Sequence, residues 1–295
     1  MELRVLRYFL AVAREQNITA AADFLHLSQP TLSRQLMALE EEFGKKLMIR
    51  GKRHITLTDE GRLLRKRAEE LVALADRTEA ELTSPESGLS GDVYIGGGET
   101  DAMRFVARAA KHIQETYPDV RYHISSGDAE DIREKLDKGL LDFGLFVEPA
   151  DITKYEFLRL PAADRWGILM RRDSPLASAE TIKPEDLWDL PLLLSRQTLT
   201  DKTLLNWFKK DISQLNIVST YNLIFNASLM VDEGMGYALT LDKLIDTSAE
   251  SSTLCLRPLQ SQIEVHLDIV WKKYQVFSKA AGLFLQKIRE ECQRN

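Results

Sequence analysis

Two cysteines, Cys255 and Cys292, are all that the 295 residues contain. They make no CxxC or metal-ligand spacing, so neither a disulfide scaffold nor a zinc module is built from them, and they read as unpaired thiols in a reducing compartment. Long apolar runs are also missing: none approaches the ~18 residues a bilayer-spanning helix needs. The opening MELRVLRYFLAVAREQ scatters charges where a signal peptide keeps an unbroken apolar core, and the expectation is a cytoplasmic protein with no membrane partner. Catalytic signatures are absent as well. There is no P-loop, no GxSxG and no Cys–His pattern, GGGET at 96–100 lacks the dinucleotide GxGxxG spacing, and the five histidines are scattered. No enzyme, metal or resident cofactor is expected.

What is present is an ordinary globular composition, 44% hydrophobic and 28% charged, on a length that suits about two domains. The net charge of −6 is unevenly placed. Residues 1–58 are net +3, which leaves −9 for the remainder. A small basic module on an acidic body is the pattern of a chain that meets a polyanion at one end.

In that basic segment Leu3, Leu6, Leu10 and Ala13 recur at helical spacing and predict a helix from Glu2 to about Glu15. Asn17 interrupts it, and Thr19 is placed to cap a short second helix through Leu25. The turn His26-Leu27 is short enough to force the next helix across at a steep angle. Ser28 is an N-cap and Pro30 sits in the first turn, where its missing N–H costs nothing. At 100° per residue Leu32, Leu36, Leu39 and Phe43 share a packing face, while Pro30, Arg34, Met37 and Ala38 lie opposite, flanked by Thr31 and Ser33 with Gln29 at the start. Short side chains beside Gln and Arg near a helix N-terminus suit entry into a DNA major groove. Two short strands follow, 45–50 and 54–58, around the basic turn Gly51-Lys52-Arg53. This hairpin reads as a wing whose Arg50, Lys52 and Arg53 contact phosphates or the minor groove.

The stretch ITAAADFLHLSQPTLSRQLMALEEEFGKKLMIRGKRHITLTDEG resembles the N-terminal motif of LysR-type transcriptional regulators. Ala20-Ala21, Ser28-Gln29-Pro30, Leu32-Ser33, Leu39-Glu40, Gly44, Leu47, Arg50 and Leu57-Thr58 fall on its pattern. The resemblance implies a winged helix-turn-helix with Gln29, Ser33 and Arg34 at the DNA and Pro30 and Thr31 close by. The family often has Phe where Met48 stands, and its wing turn is usually longer.

Thr58 can cap a long helix to about Leu82. Leu64, Ala68, Leu71, Ala75, Thr78 and Leu82 alternate four and three apart along it, a heptad seam that calls for a partner helix or for the chain's own body. The resemblance favours dimerisation through this helix. Residues 83–88 then read as a hinge.

From Gly91 strands and helices alternate in the manner of an α/β domain with a largely parallel sheet. The strands are expected at 93–95, 120–124, 143–147, 167–170, 192–194, 221–224, 237–240 and 265–271, with helices at 100–115, 131–138, 201–210 and 278–290. This body resembles the two-lobed effector domain of the same family, similar to periplasmic solute-binding proteins of type 2. The expected division is 1–58 winged helix-turn-helix, 59–90 linker helix and hinge, and 91–295 effector domain, with lobe I at about 91–162 plus 267–295 and lobe II at about 163–266. The glycine-rich turn 96–100 offers free N–H groups and a hydroxyl to a carboxylate or other polar head, and makes Thr100 the first effector candidate. Ser126 and Gly127 follow the second strand. Arg196, Gln197 and Thr198 face them from the other lobe, with Arg196 as counter-charge, and Phe146 and Asn226 complete the set.

The reading is a regulator that binds double-stranded DNA at a partly palindromic operator as a homodimer or homotetramer, answers to a small-molecule effector and, as an activator, meets RNA polymerase at the nucleoid. A solute-binding receptor without DNA contact is the competing reading, and it leaves the basic module unused. Replacing Lys52 by Ala is expected to weaken specific and non-specific DNA binding alike and to flatten the salt dependence of binding, because phosphate contacts act through counterion release. Filter binding across a salt series checks this; a loss confined to the specific site contradicts a phosphate role.

Overall fold

The computed structural model describes residues 1–51, 54–83, 88–249 and 251–294. The chain divides into two compact units, residues 1–84 and 85–295.

The first unit runs α1 (Leu3–Glu15), α2 (Ile18–Phe24), α3 (Gln29–Phe43), β1 (Met48–Arg50), β2 (Ile55–Leu57) and α4 (Asp59–Thr83). Its core joins Phe9, Val12, Ala21, Leu32, Leu36 and Leu47. The buried stripe of α1 is Val5, Leu6, Phe9, Val12 and Ala13, which keeps Leu6 and Ala13 of the expected face, while Leu3 is 44% exposed and Leu10 only half buried. The helix is rotated to bury Phe9, its largest apolar side chain. Asn17 does not merely interrupt; it caps α2, its Oδ1 accepting from the N–H groups of Thr19 at 2.8 Å and Ala20 at 3.2 Å, and Thr19 lies inside the helix. Ser28 caps α3, accepting from Thr31 N at 3.4 Å. Leu32, Leu36 and Leu39 are buried as expected, but Phe43 is 42% exposed. It is the last residue of α3, and Gly44, at φ 63°, turns the chain away before the core reaches it.

The hairpin is held to α3 by one carboxylate. Buried Glu40 accepts from the N–H groups of Leu47 at 2.8 Å and Met48 at 3.2 Å, and pairs with Lys46 at 2.8 Å. Burial alone raises its pKa, but the Lys46 ammonium and the two N–H groups outweigh that and hold it below the usual carboxylate range. Thr58 locks the other strand. Its N–H donates to Leu47 O at 3.1 Å, its Oγ1 donates to Lys46 O at 2.7 Å, and that oxygen accepts from Gly61 N at 3.0 Å to cap α4. Gly61 has no room for a side chain, since a Cβ there would stand 2.0 Å from Leu47 O.

The seam on α4 splits. Ala68 is fully buried and Leu64 packs against the module's own core, so these two belong to the fold. Leu71 and Leu82 are 42% and 82% exposed, and with Leu3, Leu74, Ala75 and Thr78 they line an apolar groove between α1 and α4. An Arg7–Asp76 ion pair ties the two helices.

The second unit contains β3 (Gly91–Gly97), α5 (Met103–Thr116), β4 (Val120–Ser126), α6 (Ala129–Asp137), β5 (Phe143–Val147), β6 (Tyr155–Arg171), β7 (Leu192–Ser195), α7 (Lys202–Trp207), β8 (Ile217–Tyr221), α8 (Ile224–Asp232), β9 (Tyr237–Leu241), β10 (Leu254–Pro258), β11 (Glu264–Lys272) and α9 (Lys279–Arg294). The sheet order is β4-β3-β5-β11-β6-β9-β7-β8, with β10 also on β6. It is mixed rather than largely parallel: β3 pairs parallel with β4 and β5, and β7 with β8 and β9, but every pairing of β6 and β11 is antiparallel. The seventeen-residue β6 serves two sheets, pairing with β11 up to Arg165 and with β9 from Trp166. Separate cores lie on either side, one around Phe143, Leu267 and Phe284, the other around Ile168, Leu194 and Phe208.

Only the end of β6, 167–170, was expected; Pro161, which has no N–H to donate, lies within the strand. The structure accommodates it at an irregularity in the partner, where the register shifts between His266 and Asp268. The expected strand 221–224 is displaced: β8 ends at Tyr221 and α8 already begins at Ile224. Among the described residues no helix is long and apolar enough to cross a membrane.

Glu40→Ala leaves two buried N–H groups without an acceptor and is expected to cost about 2–3 kcal/mol of local stability near neutral pH. Because the folded carboxyl is depressed, this contribution is present above the ordinary carboxylate range and is lost as pH falls through the depressed value. Hydrogen exchange at Leu47 and Met48 checks it: exchange faster than wild type at pH 7, with the difference narrowing in acid.

Candidate DNA-contact surface and effector cleft

The outward end of α3 presents Gln29, Pro30 and Arg34 exposed and Thr31 half-exposed. Thr31 Oγ1 lies 2.8 Å from Ser28 Oγ, and Arg34 Nε donates to Pro30 O at 3.3 Å, folding the guanidinium back along the helix. Ser33 differs from the expectation. It is 7% exposed and its Oγ accepts from Gln29 Nε2 at 2.9 Å, so it sits beneath Gln29 and orients that amide. In the hairpin Arg50 pairs with Ile55, and Gly51 N donates to His54 O at 3.0 Å. The Arg50 side chain, Lys52 and Arg53 lie outside the described residues.

In the second unit the carboxyl ends of the parallel strands of both sheets converge on one cleft, the position at which open α/β sheets bind ligands. Gly98 and Glu99 follow β3, Gly127 and Asp128 follow β4, and Val147, Glu148 and Pro149 end β5. Ser195, Gln197, Thr200 and Asp201 follow β7, Tyr221 to Ile224 follow β8, and Thr240, Leu241 and Trp166 form the floor.

Of the eight effector candidates, Gly127 and Gln197 line this cleft. Thr100 and Ser126 line an adjoining cavity with Arg104 and Lys243. The other four line neither. Phe146 is 2% exposed and packs beside Tyr155 in the core. Thr198 is fully buried, its Oγ1 2.7 Å from Ser195 Oγ. Arg196 and Asn226 are exposed away from the cleft.

Two of the three glycines of the turn 96–100 are held in the sheet. Gly96 and Gly97 belong to β3 and pair with Ser125 and Ser126 on one side and Gly144 and Leu145 on the other, so they form no open nest. Gly96 is required by packing, since a Cβ would come within 2.5 Å of Leu141 Cδ1. Thr100 is equally committed. Its Oγ1 donates to buried Asp164 Oδ2 at 2.6 Å and accepts from Ala102 N at 3.1 Å, and α5 starts only at Met103.

Four acids line the cleft that are not among the eight effector candidates: Glu99, Asp128, Glu148 and Asp201. Asp128 Oδ1 caps α6, accepting from Glu130 N at 3.2 Å and Asp131 N at 3.0 Å. Asp201 Oδ1 caps α7, accepting from Thr203 N at 2.8 Å and Leu204 N at 3.4 Å. Glu99 Oε2 accepts from Ile224 N at 2.6 Å across the cleft, at the start of α8. Glu148 pairs with Arg159, which grips Asp268 at 2.9 and 3.0 Å. Asp before a helix is a legible signal; Glu99 on Ile224 is a contact 125 residues apart and has none.

Burial raises the Asp164 carboxyl above its ordinary value, and the Thr100 hydroxyl only partly offsets this. A raised folded pKa favours proton uptake on folding, so stability from this group is fullest below the unfolded value and is lost as pH rises through the folded one. Wild type is therefore expected to gain thermal stability relative to Asp164→Asn as pH is lowered from 7 toward 4, and Thr100→Val is expected to lower Tm at neutral pH with no ligand present. Thermal melts across that pH range check both.

Comparison with known proteins covers both units. The family described as bacterial regulatory helix-turn-helix protein, lysR family, matches residues 3–62, and that described as LysR substrate binding domain matches residues 86–293. The chain is 24% identical over 292 residues to the uncharacterized HTH-type transcriptional regulator YvbU of Bacillus subtilis (strain 168), covering 98% of each. It is 32% identical over 213 residues to the HTH-type transcriptional regulator TfdT of Cupriavidus pinatubonensis, covering 68% of this chain and 90% of that one. The crystal structure of full-length CbnR complexed with its target DNA shares the fold, with a TM-score of 0.76 at 20% identity, covering 99% of this chain and 100% of the other. The chain belongs to the LysR family: it is a transcription regulator with a helix-turn-helix, a linker helix and a two-lobed effector domain, and not an enzyme.

Proposed function

We propose that this regulator reads a partly palindromic operator through paired α3 helices, as a dimer or tetramer, and that a small molecule in the cleft of the second unit controls that binding. The observation that carries the reading is the two-sidedness of α3. Leu32, Leu36 and Leu39 anchor it in the core, while Gln29, Pro30, Thr31 and Arg34 are left at its outward N-terminal end. Gln and Arg there offer paired hydrogen bonds to base edges, and Pro30 permits close approach. Ser33 contributes from beneath by orienting Gln29.

Self-association uses the part of the α4 seam that the module leaves uncovered. Leu71, Ala75, Thr78 and Leu82, with Leu3 and Leu74, form an apolar groove that a second copy can bury, and a two-fold pair presents two α3 helices to two half-sites. The relative solved on its target DNA supports a DNA-bound role for this fold. Effector binding draws the two lobes together and shifts the placement of the paired modules.

Arg34→Ala is expected to lower operator affinity by roughly 1–3 kcal/mol with the fold intact. A gel-shift titration on DNA selected from a random library, with circular dichroism on the same samples, tests it. Unchanged affinity removes α3 from the contact surface.

A further inference from the structure

Resting on the reading of the cleft as the effector site, we propose that the effector is a cation: a small molecule carrying a protonated amine or guanidine, held by Glu99, with a hydrogen-bond acceptor for the indole N–H of Trp166. An anion binds where helix N–H groups are free, and at this cleft carboxylates already accept from the N–H groups of Glu130, Asp131, Thr203, Leu204 and Ile224. The nine-residue α8 receives no cap from the side chain of its own N-cap, Leu223; Glu99 reaches it from the opposite lobe instead. The starts of α6 and α7 are filled by Asp128 and Asp201.

The charge of the wall points the same way. The cleft is lined by four carboxylates, Glu99, Asp128, Glu148 and Asp201, and by no lysine, arginine or histidine among the described residues. Arg104 and Lys243 line the adjoining cavity instead. Glu148 is already paired with Arg159, but Glu99, Asp128 and Asp201 have no cationic side chain in the lining, so a carboxylate ligand would meet repulsion there and an ammonium would gain. Glu99 accepts only the Ile224 N–H among the described residues, which leaves its other oxygen for a ligand.

Trp166 supplies an independent indication. The residue lines the cleft, is 8% exposed, and its Nε1 is buried with no hydrogen-bond partner among the described residues. A buried donor without an acceptor is costly, and a ligand oxygen satisfies it. The indole ring also offers a face to a cation.

The test uses the full chain and matched probes: agmatine and benzylamine as cations, adipate and benzoate as anions, read by thermal shift and tryptophan fluorescence. A saturable response is expected to at least one cation and to neither anion. Glu99→Gln is expected to weaken it roughly ten-fold or more, since a charge-assisted hydrogen bond is lost. Trp166→Phe, which keeps a ring and removes the N–H, is expected to weaken it several-fold, and it stands as the second variant should Glu99→Gln fold poorly. A response to the anions alone, to no cation, or to a cation equally in both variants overturns the proposal. Operator binding measured in the same samples separates this from the wider reading: an anion that fills the cleft and alters DNA binding removes the ligand class and leaves the effector site standing.

Discussion

An α-helix begins with N–H groups that nothing in the helix can accept, and the way this chain fills them decides what each helix end can do. At α2 and α3 the fillers are Asn17 and Ser28, small local caps that fix the two helices across a tight turn and leave the first turn of α3 free on its outer side. At the cleft the fillers are carboxylates, two local and one brought from the facing lobe. Neutral caps leave α3 with its positive end toward any approaching phosphate. Acidic caps turn the cleft into an electronegative pocket.

The same economy of contacts builds the DNA module. Glu40, one turn from the end of α3, holds β1 by two N–H groups, and Thr58 holds the return strand while capping α4. Recognition helix, hairpin and linker helix are thereby fixed to one another within about fifteen residues of chain. The buried leucines of α3 supply the driving force, and the polar contacts supply the geometry.

The module was legible because its information is local. Leucine spacing, Ser28 before Pro30, and a basic glycine turn between two strands each act within a few residues. Reading failed where the deciding contact is distant. Phe9 outranked Leu3 and Leu10 for the core because tertiary packing chose the rotation of α1. A third of the α4 seam turned inward because Ala68 and Leu64 meet the module's own core. In the second unit the alternation of strands and helices gave the two lobes, but not the antiparallel crossing by β6 and β11, which depends on pairing over a hundred residues apart. The glycine turn and Thr100 read as effector contacts by composition, yet β3 takes up Gly96 and Gly97 and Asp164 engages the Thr100 hydroxyl. Of the acids that dominate the cleft, only the two caps lay within reach of sequence.

DNA is proposed to be met by the outward end of α3. Hydrogen exchange of the full-length protein with and without operator DNA measures this directly. The account predicts slowed exchange concentrated in residues 28–38 and in the hairpin, with the core of the second unit unchanged. Protection that spares α3, or that falls mainly within residues 88–294, contradicts it.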